Sequence, residues 1–504
     1  MVRQKDMKKN ILFLSIILIS CTKSFNNSYD PATSAFAKNY YLYGTVVKNI
    51  IFPPPAVPIV TIPTKLVYDP SDLGFTTTQT VASTSNTIDF DSSITSVTVS
   101  PSFPTGIGFT STSTGSAKDY RIKPSSPPTV QAATKYTITG CNVSGGCINT
   151  DITIQIVNAT GNTVWGQNGF FSTSASGVGT TGLNSPKGIA LDSSGGLYVV
   201  DSGNHRVLYF PVNSQTATRV YGQGGSFALA NPNNGGISAN SLMYPTAVAV
   251  DSSNGLYITD NSNNRILYYT SGNTTATRVY GQAGLFTTDT LVFTPSATNF
   301  NFISLNNAGA LALDSNNNLY VADPARSRVL FFPNGSTTAT RVYGQAGLFT
   351  TAVADLNVNT LDNLQTPISV FVSASGIVYI LDVRSGTTAN PSRILSYTSN
   401  QTTASESLLI PTSVSYTFSA FFGSGGIGMY VDNKDGIFLP APSNTGNTVQ
   451  YYTSMKSKKP SYEFGDISST NSRSANGAQH IILDTSGNFY ISHPSLNRVV
   501  KYNQ

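Results

Sequence analysis

The sequence predicts an all-β protein, and three observations carry that reading. Only 11% of the 504 residues are charged, while Ser, Thr, Asn and Gly crowd the chain, so the charged 3.6-residue periodicity of long helices is not supplied. Between residues 61 and 158, β-branched residues alternate with polar ones at a period of two, the mark of half-buried strands. From residue 164 onward one spaced pattern recurs six times, which composition alone does not produce.

The elements follow in chain order. Arg3, Lys5, Lys8 and Lys9 precede an apolar run from Ile11 to Ser20. About 20 apolar residues are needed to span a bilayer, so this run fits the apolar region of an export signal at 1–20. Leu18-Ile19-Ser20-Cys21 resembles a bacterial lipobox, with Ile19 where a small residue is usual. The resemblance implies lipidation of Cys21 and a membrane anchor. With the leader's charges set aside, the net +5 of the whole chain falls to about +2, which argues against nucleic acid as a partner, because phosphate binding needs a clustered basic surface. Residues 21–60 contain Pro53-Pro54-Pro55 and Pro58 and read as a tether.

Strands are expected at Thr95 to Ser100, Lys135 to Gly140 and Asp151 to Val157, within a small β-sandwich over 61–158. Phe103 to Phe109, followed by the strand from Tyr136, resembles the Ig-like domains of bacterial surface proteins. Cys141 and Cys147 are expected to form a disulfide across a hairpin tip in an oxidising compartment. A metal site there would need two further ligands, and no histidine precedes His205.

The repeat aligns on Asp192, Asp251, Asp314, Ser373, Asp432 and Asp484. Six residues later stands an aromatic ring each time: Tyr198, Tyr257, Tyr320, Tyr379, Phe438 and Tyr490. Each copy carries four strand-like pieces, and four-stranded sheets repeated radially are the blades of a β-propeller. An aromatic–Gly pair marks the outer strand: Trp165-Gly166, Tyr221-Gly222, Tyr280-Gly281, Tyr343-Gly344, Phe422-Gly423 and Phe464-Gly465. The first of these precedes the first inner strand, and the last copy ends without one. The count therefore predicts six blades over 164–504, with the Trp165 segment completing the last. Pro186 to Asp192, with Asp201-Ser202-Gly203-Asn204-His205-Arg206-Val207, is similar to the NHL repeat signature.

Asp201, Asp260, Asp323 and Asp382 recur nine residues after the reference position, each with an arginine on the next strand: Arg206, Arg265, Arg328 and Arg393. The fifth copy has Ala441 and no matching arginine. Joint absence suggests structural Asp–Arg pairs. Propellers that resemble this pattern include peptidylglycine amidating lyases, streptogramin lyases and gluconolactonases, which converge His, Glu or Asp from several blades on the central channel. Here only His480 falls on an inner strand; the equivalents are Gly188, Ala247, Ala310, Ser369 and Gly428. No catalytic residue, metal site or cofactor is assigned, and no G-x-S-x-G, Walker A, H-E-x-x-H or dinucleotide fingerprint occurs.

Long connections follow the outer strands, and four of them begin Gly-Gln and soon reach Phe170, Phe227, Phe286 and Phe349. These rings form a candidate binding rim for protein or glycan. The function expected is an exported, membrane-anchored binding or scaffold lipoprotein of the cell envelope. A lyase or lactonase at the channel is the alternative.

Overall fold

Each repeat begins with a turn whose first residue closes it. In the first, the Asp192 carboxylate accepts N–H bonds from Ser194 and Gly196 at 2.9 and 2.8 Å. Asp251, Asp314, Asp432 and Asp484 do the same at their own positions. At Ser373 a hydroxyl accepts from the Ile377 N–H, so the requirement is a short side chain with an acceptor oxygen. The turn reverses the chain between the first and second strands of a sheet.

The structure is a computed structural model. It describes residues 66–68, 72–76, 87–90, 94–103, 107–111, 118–124, 131–157, 161–171, 174–290, 292, 294–300, 310–352, 354, 361–384, 392–410, 428–443, 446–452, 454–456, 462–464 and 478–502. Cys21 and Phe422-Gly423 lie outside the described residues.

The chain is all-β, and its sheets are four-stranded. The first repeat sheet contains Pro186–Leu191, Leu197–Asp201, Arg206–Phe210 and Arg219–Tyr221. The second is Pro245–Val250, Leu256–Asp260, Arg265–Tyr269 and Arg278–Tyr280. The third is Leu311–Leu313, Leu319–Asp323, Arg328–Phe332 and Arg341–Tyr343. The fourth is Thr366–Val372, Val378–Val383, Arg393–Tyr397 and Glu406–Leu409. The fifth is Tyr430–Val431, Ile437–Ser443, Gly446–Tyr452 and Tyr462–Phe464. All pairings within these sheets are antiparallel, each strand beside the next in sequence.

The sixth sheet has three consecutive strands, His480–Leu483, Phe489–His493 and Arg498–Tyr502. Its fourth is the distant strand Gly161–Trp165, with Val499 opposite Trp165 and Val500 opposite Val164. The edge of the last repeat is thereby covered. Trp165 Nε1–H donates to the Ser214 carbonyl at 2.8 Å, and Gln215 donates to the Val164 carbonyl at 2.6 Å, so this strand also grips the first sheet.

One outer strand differs from expectation. Phe422-Gly423 was expected to mark it in the fourth repeat; the strand is Glu406–Leu409, which lacks the aromatic–Gly pair. Leu408 supplies the buried contact instead.

The apolar side chains pack between sheets. Tyr198, Val200 and Val207 of the first sheet share a buried cluster with Leu256, Ile258 and Leu267 of the second. Comparable clusters join the second to the third, third to fourth, fourth to fifth, and fifth to sixth. Trp165, Tyr490 and Val499 of the sixth pack against Ile189, Leu197 and Val199 of the first. Burial of apolar area between sheets, at about 25 cal/mol per Å², is the main cohesive force.

Residues 66–157 contain two more four-stranded sheets. In one, Asp72–Thr76 runs parallel to Cys147–Val157. Gln131–Asn142 and Cys147–Val157 form a long hairpin tipped by the Cys141–Cys147 disulfide. Ile94, Tyr136, Ile138 and Ile152 are buried there.

Candidate functional site

Among the described residues, the connections that leave Gly161–Trp165 and the outer strands of the first three sheets are hydrogen-bonded to turns between second and third strands, which makes one loop face of them, and buried polar side chains lock it. The Asp201 carboxylate meets Arg206 Nε at 2.7 Å, and Asp260 meets Arg265 at 2.7 Å. Asp323 meets Arg328 at 3.0 Å, and Asp382 meets Arg393 at 3.1 Å. All eight side chains are fully buried. Each aspartate's second oxygen also accepts backbone N–H in three of the sheets: from Asn184 to Asp201, Met243 to Asp260, and Gln365 and Thr366 to Asp382. Each guanidinium reaches onward to loop carbonyls. Arg206 donates to Gly179, Gly182 and Phe227; Arg265 to Ser238, Ser241 and Phe286. One ion pair thus ties the loop entering a sheet to the loop leaving it. Burial pushes Asp201 up to about 6 against the opposing pull of Arg206, Asn204 and the Asn184 N–H, which leaves it ionised at neutral pH.

Two of these sites carry a second arginine that the repeat alignment missed. Arg384 also meets Asp382 at 3.1 Å, and Arg326 lies 3.6 Å from Asp323. Arg326 occupies the place of Asn204 and Asn263, which donate to Asp201 and Asp260. In the fifth sheet the equivalent pair is Ala441 opposite Thr448, and in the sixth His493 opposite Arg498.

The Gly-Gln step has a similar structural basis. Gln223 Nε2 donates to the Asn204, His205 and Asn231 carbonyls, and Gln282 to Asn263, Asn264 and Thr290. Gln167 bridges to Leu496 and Asn497 of the sixth sheet. The glycine before each glutamine has φ near +80°, and a Cβ on Gly222 would stand 2.9 Å from the His205 carbonyl, so glycine is required.

The candidate rim divides. Phe227, Phe286 and Phe349 are half-buried against the inter-sheet clusters, and their carbonyls accept the clamp arginines. The ring equivalent to them is Phe171, whose carbonyl accepts from Arg498 at 2.7 Å, and not Phe170. All four stand six residues after the outer-strand aromatic. One position earlier the side chain faces water: Phe170 is 62% exposed, Leu285 53% and Leu348 54%. Val178, Leu229, Tyr244 and Val292 are exposed in the same connections. The rim as expected is therefore corrected by one residue. Three of its four rings serve packing, and the outward apolar groups are mostly aliphatic.

A cavity of about 390 Å³ lies where the first strands of the six repeat sheets converge. Gly188, Ala247, Ala310, Ser369, Gly428 and His480 contribute to its wall. His480 Nδ1 accepts the Ile189 N–H at 3.2 Å, and burial lowers the ring to about 4. Gly428 makes room for it, since a Cβ there would stand 1.3 Å from His480 Cδ2. Among the described residues no group of three or more His, Cys, Asp or Glu is placed to hold a metal ion, and no helix is long and apolar enough to cross a membrane.

The NHL repeat family model matches residues 183–210 and 242–269, the first three strands of the first and second sheets. No curated protein matches the sequence. Among solved structures, a structural-genomics protein of unknown function from Bacteroides thetaiotaomicron is similar at 13% identity and a TM-score of 0.44, covering 88% of this chain and 98% of that one. A streptogramin B lyase is similar at 13% identity and a TM-score of 0.35, covering 64% and 83%. Virginiamycin B lyase from Staphylococcus aureus is similar at 12% identity and a TM-score of 0.36, covering 63% and 94%. Likenesses this distant carry nothing about substrate or reaction. The chain carries NHL repeats in an all-β framework of four-stranded sheets, consistent with a β-propeller.

Proposed function

We propose that this chain is an exported, lipid-anchored binding or scaffold protein whose repeat sheets are the six blades of a closed propeller and whose loop face receives a protein partner. The apolar clusters between consecutive sheets, from first to sixth and back to the first, support the ring. In this reading Cys21 carries the lipid, residues 21–60 are the tether, and 61–158 form an Ig-like spacer.

The observation that carries the binding reading is the distribution of exposed apolar side chains. Among the described residues ten large ones are exposed, and seven lie in the connections of the loop face: Phe170, Val178, Leu229, Tyr244, Leu285, Val292 and Leu348. Grouped apolar exposure on a locked scaffold marks an interaction surface. Aliphatic groups dominate, and glycans select aromatic platforms, so a protein partner fits better than a sugar.

A photo-crosslinking residue at Leu285 or Leu348, in intact cells, is expected to give a discrete adduct. The same residue at Val212, exposed in the turn between third and fourth strands, is expected to give none. Equal labelling from both positions, or no adduct from the loop face, overturns the reading. Loss of labelled palmitate on Cys21→Ser tests the anchor, and protease shaving of intact cells tests display.

A further inference from the structure

Two histidines hold the two flanks of the first sheet in the same chemical manner. His480, on the inner strand of the sixth sheet, accepts the Ile189 N–H of the first sheet through Nδ1 at 3.2 Å. His205, just after the second strand of the first sheet, accepts the Tyr244 N–H through Nδ1 at 3.1 Å. Tyr244 leads into the inner strand of the second sheet, and its ring meets His205 edge-on, centroids 4.3 Å apart. An N–H pointing at Nδ1 requires a lone pair there, so each ring is neutral with its proton on Nε2.

Other seams use acceptors that do not titrate at the same places. Ser369 occupies the position of His480 and accepts the Met429 N–H at 3.1 Å. Asn497 occupies the position of His205, with the same left-handed backbone, and accepts the Ser185 N–H at 2.7 Å. Bridges between neighbouring turns use Asn254 and Asn317. A hydrogen-bond acceptor is therefore what both positions need, and imidazole adds sensitivity to acid.

We infer that His205 and His480 are acid-sensitive latches, and that protonation loosens the first sheet from both neighbours while seams latched by serine and asparagine stay shut. An imidazolium would put a second N–H against the backbone N–H and lose the bond. Tyr244 meets His205 edge-on, the buried Asp201–Arg206 pair on either side of its turn has its charges already matched, and burial alone shifts the ring. Lys187 stands two residues before Ile189 on the first sheet's inner strand, Tyr430 lines the same cavity as His480, and burial alone shifts that ring too. No carboxylate lines the cavity to stabilise a cation. Burial accordingly holds His205 below its ordinary value and His480 at about 4.

Amide hydrogen exchange, corrected for the intrinsic pH dependence, tests this on the full chain at pH 7.5 and pH 5. For a ring at about 4 when latched and 6.5 when free, linkage predicts a rise of about 30-fold in opening at Ile189 at the lower pH. Tyr244 should rise in the same direction, and Met429, latched by Ser369, should not. His205→Asn with His480→Ser installs the acceptors used at the equivalent positions and should abolish both rises. Uniform exchange across all three amides in the wild-type chain overturns the inference, as does a rise that persists in the double variant. Should that variant not fold, the wild-type contrast between Ile189 and Met429 decides alone.

Discussion

Removing one member of a buried clamp gives the most direct test of what holds the loop face. Arg206→Met leaves Asp201 fully buried with its charge uncompensated, for which about 3–5 kcal/mol of destabilisation is expected. The Gly179, Gly182 and Phe227 carbonyls lose the guanidinium at the same time, the last of them keeping the Gly179 N–H. Asp201→Leu alone strands the guanidinium and should cost a similar amount. Combining the two removes both charges, so the double variant should be at least about 1.5 kcal/mol more stable than the sum of the single losses. The exposed pair Lys135–Asp151, at 2.8 Å with side chains 69% and 50% exposed, provides the contrast: Lys135→Ala should cost under about 1 kcal/mol. Urea unfolding followed by the fluorescence of Trp165, the chain's single tryptophan, reads the result where the sixth and first sheets meet. Strict additivity of the two clamp substitutions, or an Arg206→Met cost no larger than that of Lys135→Ala, would refute the assignment of the pair as a bolt.

Three further outcomes follow from other contacts. Gly428→Ala drives a Cβ to 1.3 Å from His480 and should cost about 1–3 kcal/mol by overpacking; thermal unfolding in a His480→Ser background should recover most of that loss. Cys141→Ser with Cys147→Ser opens a short loop, of sequence separation 6, and should cost about 2 kcal/mol; near-ultraviolet circular dichroism of the hairpin region should change while the Trp165 transition stays in place. Burial would raise Asp192 and Asp484, but hydrogen bonds from Ser194, Gly196 and Tyr209 to the first, and from Asn488 and Lys501 to the second, hold both below the ordinary carboxylate value. A depressed native value stabilises above the unfolded value of about 4 and is lost as pH falls through the native one, so Asp192→Asn with Asp484→Asn should flatten the acid limb of a stability–pH curve.

The fold was legible because its requirements are local. The turn aspartate, the aromatic six residues on and the outer aromatic–Gly pair each answer a backbone need inside one repeat, so they recur with fixed spacing. The strand Gly161–Trp165 could be placed against Arg498–Tyr502 by counting alone, because an uncovered edge in the last repeat has only one remaining candidate. Glu406–Leu409 escaped the same count, since its buried contact needs an apolar residue and not an aromatic one. The clamp pairs were visible from joint absence at Ala441. Arg384 and Arg326 were not: Arg384 stands at a position with no arginine counterpart in the other repeats, and Arg326 replaces the Asn204 and Asn263 of its neighbours, where the repeat pattern shows no arginine.

The candidate surface was legible only to within one residue, and that residue decides the chemistry. Both Phe170 and Phe171 follow the strand of Trp165; the six-residue spacing kept by Phe227, Phe286 and Phe349 points to Phe171 as their equivalent, but spacing does not say which of the two rings faces water. The arginine does: Arg498 takes the Phe171 carbonyl just as Arg206 takes that of Phe227. Fixing that carbonyl fixes the backbone direction, so the ring at that position turns toward the sheets and its predecessor turns outward. Phe170, Leu285 and Leu348 then become the exposed series. With Phe227, Phe286 and Phe349 committed to packing, a stacking platform for sugars loses most of its rings. The internal clamp thus selects which side chains a partner can meet, and a change that releases the arginine should alter binding at residues it never touches.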